Sequence, residues 1–442
     1  MPELLMNIFE TLNQAQVQYC LLRDADRLGQ ADKKQELDLL VRQDQLFQLQ
    51  GLLLGLGFIQ LPDWGHSPHH FFLAYHSDGD SWLKLDVVTE IAYGHPVHAL
   101  RTGLAAGCLA NRRCHDLVNI PSPEYEFVTL LLHCLLDKGT LAPGNLAPSR
   151  LQRLAWLSRQ IGDESSISTI FASLGLPDWL CARLISVVNS GDWEGLFAER
   201  EAVSRYLARL DWFGTLGRII LYPVLRKLNH WINARRPPSI AVALLAPDGA
   251  GKSTLARGIK DSFYFPTRLV YMGIYQKDSS RETGTHLPGV SFLMRLVRQW
   301  GRYGMARLYR ARRQLVIFDR HTYDEMLPPS ARQSLLKRWR RWLLTLGSPK
   351  PDLVIFLDAP GEMLYARKGE HTPDLLEQRR QDYLHLLSRL PHPVIIDAAQ
   401  DAAQVRHQAM ALIWKAYLDR QTGRTPTQTK QASAGERKTL LA

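Results

Sequence analysis

The stretch IAVALLAPDGAGKST, residues 240–254, decides the fold of the C-terminal half. Its first seven residues are apolar, which is the pattern of a strand buried on both faces. Pro247 and Asp248 then lead into Gly249, Ala250 and Gly251, and Lys252, Ser253 and Thr254 open a helical pattern. A strand, a Gly-rich turn and a helix N-terminus in that order form a phosphate-binding loop (P-loop), in which successive backbone N–H groups surround an anion. Gly249 and Gly251 let the backbone approach without a Cβ in the way. Lys252 neutralises phosphate charge, and the Ser253 hydroxyl is a ligand for Mg²⁺. The spacing Ala246-x4-Gly251-Lys252-Ser253 departs from the motif only in carrying Ala at the first Gly position. Residues 248 to 254 are thus the candidate nucleotide-binding set.

Outward from this stretch, buried-strand runs recur at Arg268–Gly273, Gln314–Phe318, Asp352–Leu357 and Pro393–Asp397, with helical patterns between them. This alternation predicts an α/β fold, a five-stranded parallel sheet with helices on both faces. Ligands of such sheets bind outside the carboxyl ends of the strands. Asp319 and Arg320 end the third run, so Asp319 is a candidate for holding metal or deprotonating an acceptor, and Arg320 for holding a phosphate. After the fourth run, Arg367 and Lys368 close one helix and Arg379 and Arg380 lie on the next. A basic flap of this kind stabilises charge in phosphoryl transfer, where catalysis is mainly positioning plus electrostatics. A pair of solvated helices with surface ion pairs is the other outcome for the same residues.

APDGAGKST (246–254), FDRH (318–321), PDLVIFLDAPGEMLYARKGE (351–370), RRQDY (379–383) and VIIDAAQDAAQV (394–405) occur in the order and spacing of thymidylate kinases, which the stretch from about Ser239 to Leu418 resembles. The resemblance implies a nucleoside-monophosphate-kinase fold, ATP as donor, Mg²⁺, and a small-molecule acceptor. It assigns Asp248 to organising phosphates and acceptor, Asp319 and Arg320 to metal and acceptor, and Arg367 and Arg380 to covering the donor. HTYDEMLPP (321–329) replaces the residues with which family members surround the nucleotide base. In this the chain looks closer to thymidylate kinase-like proteins encoded with bacterial surface-polysaccharide genes, which implies a sugar or glycolipid as the alternative acceptor. A nucleotide-sensing scaffold without catalysis is the alternative of a different class.

Residues 1–120 mix helix and strand. Glu36–Val41 reads as a buried strand, and His69–Tyr75 with Trp82–Val88 as a hairpin, which makes this an α+β domain. Glu36 and Asp38, two apart on a strand, share a face, and Asp86 on a neighbouring strand can join them around Mg²⁺ as a second metal site. These three carboxylates resemble the pattern of nucleotidyltransferases over about Val17 to Gly94. Arg23 and Asp24 occupy the turn with which those enzymes grip a triphosphate. The domain is then either an active transferase or a module that binds the acceptor. Residues 121–237 carry helical spacing and form a connector, 238–420 the P-loop domain, and 421–442 a disordered tail.

Charge divides unevenly. Residues 1–211 hold 17 Lys and Arg against 25 Asp and Glu, and the remainder 37 against 18. The positive half attracts an anionic ligand, and no specific nucleic acid is needed to account for it. Between Ser291 and Gln314 lie seven arginines and no acid, interleaved with apolar residues. This predicts a helix whose arginines face the phosphate site, or one that lies on anionic lipid together with 212–236. Five scattered cysteines indicate a reducing compartment. The N-terminus reads as an amphipathic helix rather than a signal peptide, so the expected location is the cytoplasm, with peripheral contact at the inner face of the membrane as its extension. Nothing in the sequence fixes the oligomeric state.

Overall fold

Strand-forming runs flanked by amphipathic helices give two sheets, one in each of two compact units of the computed structural model, Met1–Arg235 and Arg236–Ala442. The structure describes residues 2–23, 25, 28, 33–61, 68–94, 97–138, 148–162, 164–234, 237–272, 288–328, 339, 350–390 and 393–423. Asp24 and the expected tail beyond 423 lie outside them.

The first unit begins with α1 (Glu3–Gln14), β1 (Tyr19–Leu21), β2 (Lys34–Val41), α2 (Leu46–Gly55), β3 (Ile59–Gln60), β4 (His69–His76) and β5 (Ser81–Val88). The strands lie in the order β1-β2-β5-β4-β3. β2 and β5 run parallel, with Asp38 opposite Asp86, and the other pairs are antiparallel. Side chains alternate across the sheet. Leu37, Leu39 and Val41 pack on one face with Leu5, Ile8, Phe9 and Leu12 of α1. Cys20, Leu40 and Val88 pack on the other face with a helical layer.

Short strands β6 (Ala92–Tyr93), β7 (Leu100–Arg101), β8 (Arg113–His115) and β9 (Val118–Ile120) and helix α3 (Leu104–Ala110) lead into that layer. It consists of α4 (Pro123–Leu132), α5 (Pro148–Gln160), α6 (Glu164–Ser173), α7 (Asp178–Ser190), α8 (Trp193–Ala198), α9 (Arg200–Leu210) and α10 (Trp212–Ala234). Helices expected as a connector therefore share a hydrophobic core with the sheet, because Phe127, Leu131 and Leu135 are completely buried in it.

The second unit contains β10 (Ala241–Leu245), α11 (Lys252–Ser262), β11 (Thr267–Tyr271), α12 (Pro288–Ala311), β12 (Leu315–Asp319), β13 (Leu353–Asp358), α13 (Gly361–Lys368), α14 (Pro373–Leu387), β14 (Pro393–Asp397) and α15 (Ala402–Thr422). Its five strands are all parallel, in the order β11-β12-β10-β13-β14. Ala241 to Leu245 are buried without exception, as a central strand covered on both faces must be.

Candidate functional site

β10 is the middle strand of the parallel sheet and the P-loop leaves its carboxyl end. Gly249 has φ +90° and Gly251 φ +87°, the left-handed region that only glycine enters freely. A Cβ on Gly249 would stand 2.5 Å from the carbonyl oxygen of Leu364 in α13, so this glycine also permits the loop to lie against that helix. Gly251 is the N-cap residue of α11, whose first turn is Lys252, Ser253 and Thr254. The unpaired N–H groups of that turn and the positive end of the helix dipole suit phosphate oxygens.

Lys252 folds back on the loop and donates from Nζ to the carbonyl oxygens of Ala246 and Pro247. Burial lowers its pKa, and the charges of Asp324, Asp248 and Asp319 oppose that shift. Asp319 is the last residue of β12, opposite Leu244 of β10 and Tyr271 of β11. Adjacent parallel strands thus deliver Asp319 and the P-loop to the same end of the sheet. Arg320 follows with φ +63° and donates from Nη2 to Asp248 Oδ1 at 3.0 Å. Burial works to raise the pKa of Asp248, but Lys252, Arg320, Lys368 and Arg379 outweigh it and hold the carboxyl below its ordinary range. His321 is buried, and its Nδ1 accepts from Tyr323 N–H at 3.3 Å.

The expected lid arginines sit elsewhere. Arg380 donates from Nε and Nη2 to both oxygens of Asp358, at 2.5 and 2.9 Å, and from Nη1 to Glu377 at 2.9 Å. It clamps α14 to the end of β13. Arg367 donates to the carbonyl oxygen of Ala398 at 2.9 Å. Arg379, one residue earlier on α14, turns to the P-loop, with Nη1 3.7 Å from Asp248 Oδ2. Consecutive residues of a helix point about 100° apart, so the sequence places two arginines on α14 without saying which one faces the loop.

Asp324 was not singled out from the sequence. The Tyr383 hydroxyl of α14 donates to its Oδ1 at 3.0 Å, and burial, with Asp324 and Asp248 nearby, pushes the Tyr383 hydroxyl pKa well up.

In the first unit a cavity of about 700 Å³ is lined by Glu36, Asp38 and Asp86 together with Arg23, Lys84, His69, His133 and Asp137. The three carboxylates offer ligand atoms within 4.8 Å of one another, as the register requires. Each also has a base beside it: Lys84 lies 2.6 Å from Glu36, Arg23 3.2 Å from Asp38, and His69 Nδ1 2.7 Å from Asp86. Arg23 and His133, with His69 and Arg150, overcome the burial that would raise the Asp38 pKa, and it falls instead. The donor set suits a divalent cation, although one entering it competes with bases already in place. A second group of possible ligands, Asp248, Glu370 and His371, also lies within 4.8 Å beside the P-loop.

No protein-family model matches the chain. It is 26% identical to the thymidylate kinase of Xanthomonas euvesicatoria pv. vesicatoria over 226 residues, which are 45% of this chain and 93% of the relative. It is 29% identical to the probable thymidylate kinase of Thermococcus kodakarensis over 204 residues, 39% of this chain and 96% of the relative. Among solved structures, thymidylate kinase from Candida albicans matches with 20% identity and a TM-score of 0.31 over 40% of this chain and 91% of that one. The chain therefore carries a thymidylate kinase-like region, that of a phosphotransferase. Gly249, Gly251 and the first turn of α11, which carries Ser253, stand at the carboxyl end of β10, and Asp319 ends the neighbouring β12.

Proposed function

We propose that the second unit transfers the γ-phosphate of ATP to a nucleoside monophosphate. The observation that carries this reading is the arrangement at the P-loop end of the sheet: Lys252 folded onto the loop carbonyls, Asp319 at the end of β12, and the two guanidiniums of Arg320 and Arg379 beside Asp248. The P-loop N–H groups and Lys252 hold the donor phosphates. Ser253 and Asp319 would hold Mg²⁺, which would supply shielding of phosphate charge. Arg320 and Arg379 are restrained by Asp248, so both cations stand ready for an anionic acceptor without a large loss of side-chain entropy. When the acceptor's phosphate arrives, it replaces part of the Asp248 carboxylate as their partner.

A hydroxyl acceptor on a sugar or glycolipid is the second reading. Asp324 favours it, because a carboxylate just after β12, oriented by the Tyr383 hydroxyl, can take a proton from an attacking hydroxyl, which a phosphate acceptor does not require. Incubating the protein with ATP, Mg²⁺ and a panel of nucleoside monophosphates and sugars, followed by mass spectrometry of products, distinguishes the two. A phosphorylated nucleoside monophosphate supports the first reading. Phosphorylated sugar alone transfers the conclusion to the second, and ADP formation with neither acceptor removes both.

A further inference from the structure

Helix α10 is amphipathic the wrong way round for a helix of a water-soluble surface. Its side toward the protein is polar: Thr215 is buried, Arg218 donates from Nε to the Ala99 carbonyl oxygen at 3.0 Å and from Nη2 to Asp211 at 2.7 Å, and Tyr222 is half-buried. Those residues follow the i, i+3, i+7 spacing of one helix face. The opposite stripe is apolar and open to solvent. Phe213 is 88% exposed, Ile220 61%, Val224 61%, Leu228 53% and Trp231 69%, at spacings of seven, four, four and three, and Trp212, Leu216 and Leu221 flank them.

Contiguous exposed apolar surface of this kind marks a docking face. Charge identifies what docks. From Trp212 to Pro247 the sequence holds no Asp or Glu, and Arg226 and Lys227 stand exposed on α10. A second copy of this chain, placed on the face by two-fold symmetry, would set these cations against their own equivalents. An anionic lipid surface instead presents the opposite charge to the basic residues and hydrocarbon to the stripe. Aromatic residues at both ends, Trp212, Phe213 and Trp231, suit the boundary between headgroups and acyl chains. Among the described residues no helix is long and apolar enough to cross a membrane, so the geometry is that of a helix lying in the interface.

We propose that the outer face of α10 binds anionic phospholipid membranes. Tyr222 and Arg226 of the same helix line the cavity that holds Glu36, Asp38 and Asp86.

The test is sedimentation of the full chain with sucrose-loaded vesicles of phosphatidylcholine alone, or of phosphatidylcholine with one third phosphatidylglycerol. We expect at least about tenfold stronger partition onto the anionic vesicles at low salt, weakened at about 0.5 M salt. Phe213→Glu combined with Val224→Glu changes two exposed residues of the stripe and should reduce that partition by about tenfold or more, with the thermal midpoint unchanged. Absence of binding to anionic vesicles overturns the proposal. So does a wild-type dimer that the same double substitution converts to monomer while vesicle binding stays as it was, since the face would then belong to a second copy.

Discussion

Arg320 Nη2 lies 3.0 Å from Asp248 Oδ1, so the residue that follows β12 restrains the acid that precedes the P-loop glycines. The pair joins two segments 72 residues apart at the mouth of the site. It keeps the guanidinium in place before any ligand binds, and it keeps Asp248 ionised.

Asp248 consequently contributes pH-dependent stability. A carboxyl whose folded pKa is depressed binds fewer protons than in the unfolded chain, so its stabilisation is present above the ordinary carboxylate pKa. That stabilisation is lost as pH falls through the depressed folded value. Asp248→Asn should lower the denaturant midpoint at neutral pH and converge with the wild type at acid pH, so that the acid limb of the midpoint-against-pH curve flattens. An unaltered acid limb would mean that the pair carries no net stabilisation.

His133 makes a second pH-dependent contribution. Burial, reinforced by Arg23, lowers its pKa from 6.5 to about 4. The unfolded chain therefore binds more protons between those values, and stability falls as pH drops from 6.5 toward 4, by on the order of 2–3 kcal/mol. His133→Gln should remove most of that slope. Equilibrium unfolding at several pH values between these limits measures it, and an equal slope in both proteins would refute the assignment.

Arg379 and Arg380 are neighbours with different work. Arg380→Ala breaks a two-pronged pair with Asp358 and should destabilise the protein by about 2 kcal/mol. Arg379→Ala should leave the thermal midpoint nearly unchanged and lower transfer activity. Thermal unfolding beside steady-state kinetics separates the two, and equal effects on stability would contradict the placement.

Gly249→Ala meets both a positive φ and a backbone oxygen 2.5 Å from the new Cβ. The left-handed conformation alone costs roughly 1–2 kcal/mol, and the contact with Leu364 adds to it. The variant should lose nucleotide affinity and thermal stability together. Retention of both would show that the loop relaxes freely.

Much of this was legible in the sequence because it is local. Apolar runs of strand length placed all five parallel strands, and the Gly-rich turn between Leu245 and Lys252 placed the phosphate loop. Contacts between distant segments were not legible. Which of Arg379 and Arg380 faces Asp248 depends on the rotation of α14 about its axis, set by burial of Leu376, Tyr383 and Leu387. Asp324 drew no attention because its importance comes from Lys252 and Tyr383, each far away along the chain. In the first unit, spacing brought Glu36, Asp38 and Asp86 together but gave no sign of the bases that accompany them. The sequence offered 212–236 as a stretch that lies on anionic lipid, but periodicity defines a stripe without saying which side of α10 meets the protein.

The central claim is phosphoryl transfer at the P-loop, and the most direct measurement follows radiolabelled γ-phosphate from ATP into product in the wild type and in Lys252→Ala. Lys252 is held by loop carbonyls rather than by the hydrophobic core, so the variant should fold with an unchanged far-UV spectrum. The account predicts transfer in the wild type and a loss of roughly 10²-fold or more in the variant. Undiminished transfer in a folded Lys252→Ala protein would place the chemistry elsewhere and contradict the account.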